Sequence, residues 1–586
     1  MKKILVLFSV CLLLTSCNIV NNSDNDNNSG INDEEIIPEN DNDKKITKSS
    51  IQFTNLSNGY NITGCDLDVY YNENSDIQYV SVMNFIQCLD GFIKCGDSLR
   101  YKIIENKNML VLYKYNSNNV LLSKAQFRRD DNIIYVSDLS FFSSIIYSNS
   151  ATDYSKFIKT TNYEYSGGGD LEFDLGKYNF DILYYDNNCL IPFVIANLLF
   201  CSLNYYNVIF NGDKFIGYEG EIYNESNEYK TIFENHRSIT QSESIREATI
   251  NSLCFLMDYF YGLNEYKNIT NFKSYISYSD LELLRSLDPD ENHLGMKNIL
   301  LKQLDELHTR IDSRNAYSTK HSEVLYALSD CGEFWNKYYS LKMQQNNLRN
   351  EKLNNGVPPV RYYDDTAVIT LNSFETASNS EIYDSDGKLK DTAWKYDSYY
   401  YMQYCMKEIE SHSGINDVLL DLSLNGGGNI GAEYRVLGFL SDKIIKDYAY
   451  NTLTKKFSCA SYKIDANGDG YYDDDSFDNY RWTILTSLNT FSAANNFAFK
   501  VKQMNLGKII GKKSGGGMCS VLPTVLADGT AIAISSNNSL RYMVKENNKN
   551  IYYETESGCS VDLSIPYDCF YNDVELVDYI DEVWNA

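Results

Sequence analysis

From Asp417 to Gly428 the chain reads DVLLDLSLNGGG, a buried-type strand that runs straight into three glycines and then into a helical pattern. A strand with almost no polar alternation needs cover on both faces, which helices packed on a mostly parallel sheet supply. The surrounding residues repeat this arrangement. Strand patterns at Ala367–Leu371, Val418–Leu424, Trp482–Thr486, Lys508–Gly511 and Thr530–Ser535 alternate with helical patterns at Ser398–Ser411, Ala432–Leu440 and Ala493–Met504. The region 363–586 is therefore expected to form an α/β core.

Upstream of that core the pattern changes twice. Across 49–225, short aromatic and β-branched runs such as Met109–Tyr115, Asn132–Val136, Phe180–Tyr185 and Asn207–Phe210 alternate with Asn/Gly/Asp turns, giving a β-rich accessory region. Across 226–350 the apolar spacing becomes helical, over Ile245–Leu263 and Leu281–Ile311. A polar stretch at 351–362 containing Pro358-Pro359 reads as a linker. The fold class expected is thus multidomain: a β-rich N-terminal region, a helical middle and a C-terminal α/β core.

Charge and motifs remove several classes of function. A net charge of −27 argues against nucleic acid, whose phosphates need basic patches. Five histidines (His236, His293, His308, His321 and His412) occur without an HExxH, HxH or CxxC pattern, so a zinc site has no support. No phosphate loop is present, and one literal GxGxxG, beginning at Gly426 and ending at Gly431, is weak evidence for a nucleotide.

Residues 1–17, MKKILVLFSVCLLLTSC, carry two lysines and then an apolar run too short to span a bilayer, as in a secretory signal. Leu14-Thr15-Ser16-Cys17 resembles a bacterial lipobox, which implies cleavage and lipidation, palmitate included, at Cys17. The Asn/Asp-rich segment 18–48 lacks aromatics and reads as a disordered tether. The expected location is the bacterial cell envelope, with the protein held to a membrane by its N-terminal lipid and facing outside the cytoplasm. Of 14 cysteines, Cys11 would leave with the signal and Cys17 would carry lipid; the rest are expected to be either disulfide-bonded or buried thiols, with pairing left open.

Two segments carry chemistry. A triple glycine after a strand turns the backbone sharply and exposes amides, as an oxyanion hole requires, although such turns are also common structural features of α/β folds. Ser492, in Thr490-Phe-Ser-Ala-Ala-Asn495, stands at a strand-to-helix junction. A hydroxyl there is either a helix cap or a nucleophile aided by the helix dipole.

Taken together, Asp421-Leu-Ser-Leu-Asn-Gly-Gly-Gly428, Thr490–Asn495, Ile510-Gly-Lys-Lys-Ser-Gly-Gly-Gly517 and Gly558-Cys-Ser-Val-Asp-Leu-Ser-Ile565 resemble the ordered motifs of the carboxyl-terminal processing (tail-specific) and tricorn-type serine peptidases. The resemblance covers about 366–570 and implies a ClpP/crotonase-like core. It also implies Ser492 as nucleophile and the amides of Gly426 or Gly427 and of Ala493 as the oxyanion hole. Processing peptidases use a lysine base that falls at Gly517 here, with Lys512 and Lys513 close by. The tricorn-type branch uses histidine from an upstream helical region. Leu304-Asp-Glu-Leu-His308-Thr resembles that element, with Glu306 where the pattern has Asp, and implies His308 as base. Glu556 is the expected orienting acid, ahead of Glu554 and Asp562.

One further stretch holds Asp465, Asn467, Asp469, Tyr471 and Asp473 in a D-x-N-x-D-G pattern that fits either a structural Ca²⁺ loop or an Asx/Gly turn between strands. No cofactor is expected for catalysis. The function implied is a lipid-anchored serine peptidase acting on protein or peptide substrates. A catalytically degenerate lipoprotein that binds peptides or other ligands on the same scaffold is the alternative, and a surface adhesin using the β-rich region is a third reading.

Overall fold

The computed structural model describes residues 45–586 except 63–64, 95–98, 144, 147–154, 225, 234–239, 355 and 474–475. The signal, Cys17, most of the tether and His236 lie outside the described residues. The tether's expected end is shorter than drawn, because the strand Ile46–Asn55 already pairs with Asp66–Asn72.

The C-terminal α/β core is a six-stranded sheet in the order Val360–Tyr363, Thr366–Thr370, Asp417–Asp421, Arg481–Thr486, Lys508–Gly511, Leu563–Ser564. All neighbours are parallel except the first pair. Helices Ser398–Glu410, Ile430–Leu440 and Ala493–Met504 make the crossovers. Strand residues alternate between two cores. Ala367, Ile369, Val418, Leu420, Ile484 and Ile509 face the crossover helices. Val368, Leu419, Leu485 and Ile510 face Leu576, Ile580 and Val583 of the C-terminal helix Asp573–Asn585. Burial on both faces is why these strands are nearly all apolar. The stretch read as a linker, 351–362, ends in a strand: Val360–Tyr363 forms the antiparallel edge of this sheet.

A second, seven-stranded sheet is organised by the long strand Ala531–Glu546, which pairs with Cys519–Val525, Lys549–Glu554, Ile445–Asn451 and the short Arg310–Ile311. Its outer strand, Ile158–Ser166, comes from the N-terminal region and pairs with Phe457–Ile464. The boundary drawn at 225 is therefore crossed by a β-ladder. The remaining N-terminal strands form a second seven-stranded sheet and a five-stranded antiparallel sheet, Leu99–Asn106 to Leu171–Asp174. Cys65 and Cys88 form a disulfide, while Cys189, Cys201, Cys254, Cys331, Cys405, Cys459, Cys519, Cys559 and Cys569 are free thiols, all but Cys459 buried.

The helical middle contains Glu243–Phe260 as the periodicity predicts. The continuous helix expected over Leu281–Ile311 is instead broken. Tyr278–Arg285 ends, Asp288 caps a new helix through the Asp290 amide with Pro289 at its first position, and a π-helical stretch closes at Gln303. Asp-Pro is a helix-start signal, and it outweighs the apolar period that runs across it.

Candidate active site

Ser492 lies where the loop after Arg481–Thr486 enters helix Ala493–Met504. Its backbone is at φ 60°, ψ −124°, and its side chain makes no capping bond. Capping is thereby set aside as the reason for a serine here. A non-glycine residue in such a conformation costs about 1–3 kcal/mol and persists only where neighbours over-determine it. Here the Ser492 N–H donates to Gly516 O (2.8 Å), Phe491 N–H to Asn425 O (3.1 Å) and Gly515 N–H to Thr490 O (2.8 Å). The Thr490 hydroxyl donates to Leu422 O (2.7 Å). The turn after one strand is thus tied to the turns after its two neighbours.

His308 Nε2 is 3.1 Å from Ser492 Oγ. The apolar spacing predicts a helix through His308, but the histidine lies in the loop between Gln303 and the strand Arg310–Ile311, which pairs with Ala533 and Ile532. Five hydrogen bonds fix that loop. Glu306 Oε2 accepts the His308 amide (2.8 Å), and its carboxylate also takes the Thr309 hydroxyl. Trp335 Nε1 donates to Glu306 O (3.0 Å). The Asp305 carboxylate caps the helix Glu333–Lys352 through the amides of Phe334 (2.8 Å) and Trp335 (3.1 Å). Burial, with the Arg310 guanidinium adding to it, lowers the imidazole to about 3. His308 is therefore neutral around pH 7, and accepting a proton at Nε2 requires the tautomer with hydrogen on Nδ1.

The glycine turn differs from residue to residue. Gly427 is at φ +104°, and a Cβ there would stand 2.7 Å from Ser492 Cβ; Gly428 is at φ +137°, with Phe374 O at 2.1 Å from that position. Gly427 must be glycine for the turn to pack against the Ser492 loop, and Gly428 for it to pack against the Phe374 backbone. The Gly427 N–H donates to Asn425 Oδ1 (2.9 Å). That bond removes Gly427 from the expected oxyanion donors in this conformation and leaves Gly426 and Ala493. Ala493 opens its helix, so its N–H is one of those a helix leaves without an internal partner.

Glu556 Oε2 accepts the amides of Gly517 (3.1 Å) and Met518 (2.8 Å), on the turn whose Gly516 carbonyl receives the Ser492 amide. Glu554 instead accepts the Ser557 amide (3.0 Å), and Asp562 the Ile509 amide (2.8 Å) on the core sheet. Burial foremost, with the Glu306 carboxylate adding to it, raises the Glu556 carboxyl to about 7. The folded chain thus holds this proton up to about pH 7, whereas the unfolded chain releases it near 4.5. Its contribution to stability is present below 4.5 and lost as pH rises through 7. Glu556→Gln cannot ionise and should raise the thermal midpoint over wild type by about 2–4 °C at pH 8, with little change at pH 4.5. An equal difference at both pH values would show that the carboxyl is not raised.

Residues 365–551 match the family model of peptidase family S41. The chain carries an S41 peptidase domain. No curated protein matches the chain. Among solved structures it is similar to a candidate peptidase from Parabacteroides merdae ATCC 43184, at 16% identity over 55% of this chain and 89% of that one, TM-score 0.37. It is also similar to a lipoprotein from Streptococcus agalactiae (15% identity, 59% of this chain, 99% of that one, TM-score 0.35) and to the tricorn protease (11%, 82%, 46%, TM-score 0.28). The assignment rests on the family match.

The S41 domain as matched holds Ser492, Ala493 and the glycine turn, while His308 precedes it and Glu556 follows it. At Gly517, where the processing branch has lysine, a Cβ would meet the Phe491 ring at 2.6 Å. Lys512 Nζ donates to Ser564 Oγ (3.1 Å) and Lys513 is exposed, so neither stands in for that lysine. Asn495 is engaged in structure, donating to Thr555 O (3.0 Å) and accepting from Ser514 Oγ (2.7 Å).

In the acidic loop, Asp465 accepts the amides of Gly468 (2.6 Å) and Gly470 (2.9 Å), Asn467 that of Asp469 (2.8 Å), and Asp469 that of Tyr471 (2.8 Å). Tyr471 and Asp473 are exposed. Among the described residues no group of three or more His, Cys, Asp or Glu is arranged to hold a metal ion. Asp475 lies outside the described residues.

The sequence reading missed the roles of Asp305 as a helix cap, Asn425 as acceptor of the Gly427 amide, and Tyr338 against the glycine turn. Asp305 and Tyr338 carry no motif and are defined by contacts with residues distant in the chain; Asn425 stands in the glycine motif, and its role is set by an amide only two residues on.

Proposed function

We propose that this chain is an exported, lipid-anchored serine peptidase that hydrolyses peptide bonds through an acyl-enzyme. The observation that carries the reading is the 3.1 Å approach of His308 Nε2 to Ser492 Oγ, with the serine held at φ 60° and free of any capping duty. His308, neutral near pH 7, takes the Ser492 proton as Oγ attacks the substrate carbonyl carbon, then returns it to the leaving amine. The amides of Gly426 and Ala493 stabilise the tetrahedral oxyanion. Glu556 is the acid assigned to orient the imidazole. Water, deprotonated by His308, then releases the acyl group.

Lipid attachment rests on Cys17. No helix among the described residues is long and apolar enough to cross a membrane. Substrates are proteins or peptides, as the S41 family implies.

The test is cleavage of an unstructured protein such as casein by the chain from residue 45 onward, wild type beside Ser492→Ala. Wild type should cleave and the variant should not. Cleavage by both would rule out Ser492 as nucleophile, and cleavage by neither would favour a lipoprotein that captures peptides without cutting them.

A further inference from the structure

Gly426 differs from its two neighbours in what surrounds it. The Cβ direction of Gly427 meets atoms of Phe491, Ser492 and Ala493 within 3.0 Å, and that of Gly428 meets the Phe374 backbone within 2.9 Å. The Cβ direction of Gly426 meets a single heavy atom within 4 Å among the described residues, the hydroxyl oxygen of Tyr338, at 3.0 Å. Nothing else crowds that side of the residue whose amide is assigned to the oxyanion.

Tyr338 is buried and lies on the helix Glu333–Lys352, before the S41 match begins. Its position is determined from three directions. The N-terminus of its helix is capped by Asp305, three residues before His308. Its backbone carbonyl accepts from Asn489 Nδ2 (2.8 Å), three residues before Ser492. Its ring packs edge-on against Phe491 with centroids 5.9 Å apart, and Phe491 in turn packs edge-on against the His308 ring at 5.0 Å. The phenol is thus fixed by the base loop and the nucleophile loop together, and its oxygen is delivered to the glycine turn.

We propose that Tyr338 is a catalytic residue of this peptidase, its hydroxyl donating a third hydrogen bond to the substrate carbonyl oxygen beside the Gly426 and Ala493 amides. The proposal rests on the acyl-enzyme reading above. As Ser492 Oγ bonds to the carbonyl carbon, its proton passes to His308 Nε2 and the carbonyl π pair moves onto oxygen. The phenol keeps its own proton and donates a hydrogen bond to that developing charge. A neutral donor held in a dry site stabilises such charge without reorganising when it forms. Burial supplies the dry site, and the packing of the ring supplies the rigidity.

The experiment compares wild type, Tyr338→Phe and Ser492→Ala in casein and peptide hydrolysis, in inhibition by a peptide aldehyde, and in labelling by a fluorophosphonate. In the labelling reaction Ser492 Oγ displaces fluoride from phosphorus, and the phosphoryl oxygen occupies the oxyanion position. Tyr338→Phe should keep the wild-type thermal midpoint and KM. Its kcat should fall about ten- to a hundred-fold, with aldehyde affinity and labelling rate falling in parallel. A wild-type kcat and labelling rate in a folded Tyr338→Phe, with Ser492→Ala inactive, would overturn this proposal and leave the peptidase reading standing. A wild-type protein that neither cleaves nor is labelled would overturn both. If Tyr338→Phe fails to fold, Tyr338→Leu serves in its place: the same loss of kcat in a folded variant without a phenol supports the proposal, and full activity overturns it.

Discussion

His308→Ala and Ser492→Ala should each lower kcat/KM by about ten-thousand-fold or more, and the double variant should fall no further. The two side chains meet at 3.1 Å and serve one proton transfer, so removing either abolishes the step that the other needs. What survives comes from oxyanion stabilisation and substrate binding, which neither substitution touches. Single-turnover hydrolysis of a chromogenic peptide by the four proteins of this cycle measures the coupling. Losses that add in free energy would mean that the two residues act independently, and would remove His308 as the base. His308→Ala also removes a ring that packs on Phe491, so thermal midpoints should accompany the rates.

The second large effect is expected at a residue without a side chain. Gly516→Ala should cost about 2–4 kcal/mol of stability and lower kcat at least a hundred-fold. Gly516 is at φ +88°, and a Cβ there would stand 2.0 Å from Glu556 O. Backbone on one side or the other has to move. One side carries the carbonyl that holds the Ser492 amide, and the other carries Glu556. Strain at Ser492 persists only while that carbonyl stays in place, so the nucleophile should relax out of its φ 60° conformation. Thermal denaturation and the rate of fluorophosphonate labelling separate the two consequences. A stable, fully active Gly516→Ala would show that the turn has no part in holding the nucleophile.

The parts of this molecule that depend on neighbours in sequence were legible before any coordinates. Lys508–Gly511 and Ala493–Met504 coincide with their expected strand and helix, because a short apolar run and helical spacing are local signals. Ser492, Gly426 and Ala493 followed from motifs that are themselves local. The helix drawn through Leu281–Ile311 failed because Asp288-Pro289 starts a new helix inside an apolar period. The placement of His308 on a helix failed with it, although its identity as a candidate did not. Contacts between distant segments left no trace in composition or spacing. Tyr338 reaches Gly426 only because Asp305 and Asn489 hold its helix there. The loss of Gly427 from the expected oxyanion donors is by contrast local, since Asn425 takes its amide from two residues away.

The ladder between Ile158–Ser166 and Phe457–Ile464 has a consequence for how such a chain comes into being. A polypeptide made from its N-terminus displays Ser166 long before its partner Phe457 exists, and Arg310 long before Ala533. Each waits as a bare edge that any other strand could join. Pairings so remote in sequence close slowly, since the intervening loop must be gathered first. The Ser492 loop cannot be locked until Gly516 arrives, nor Glu556 seated until the chain is nearly complete. A partly synthesised chain therefore lacks the assembled Ser492 site, which comes together only when synthesis is almost finished.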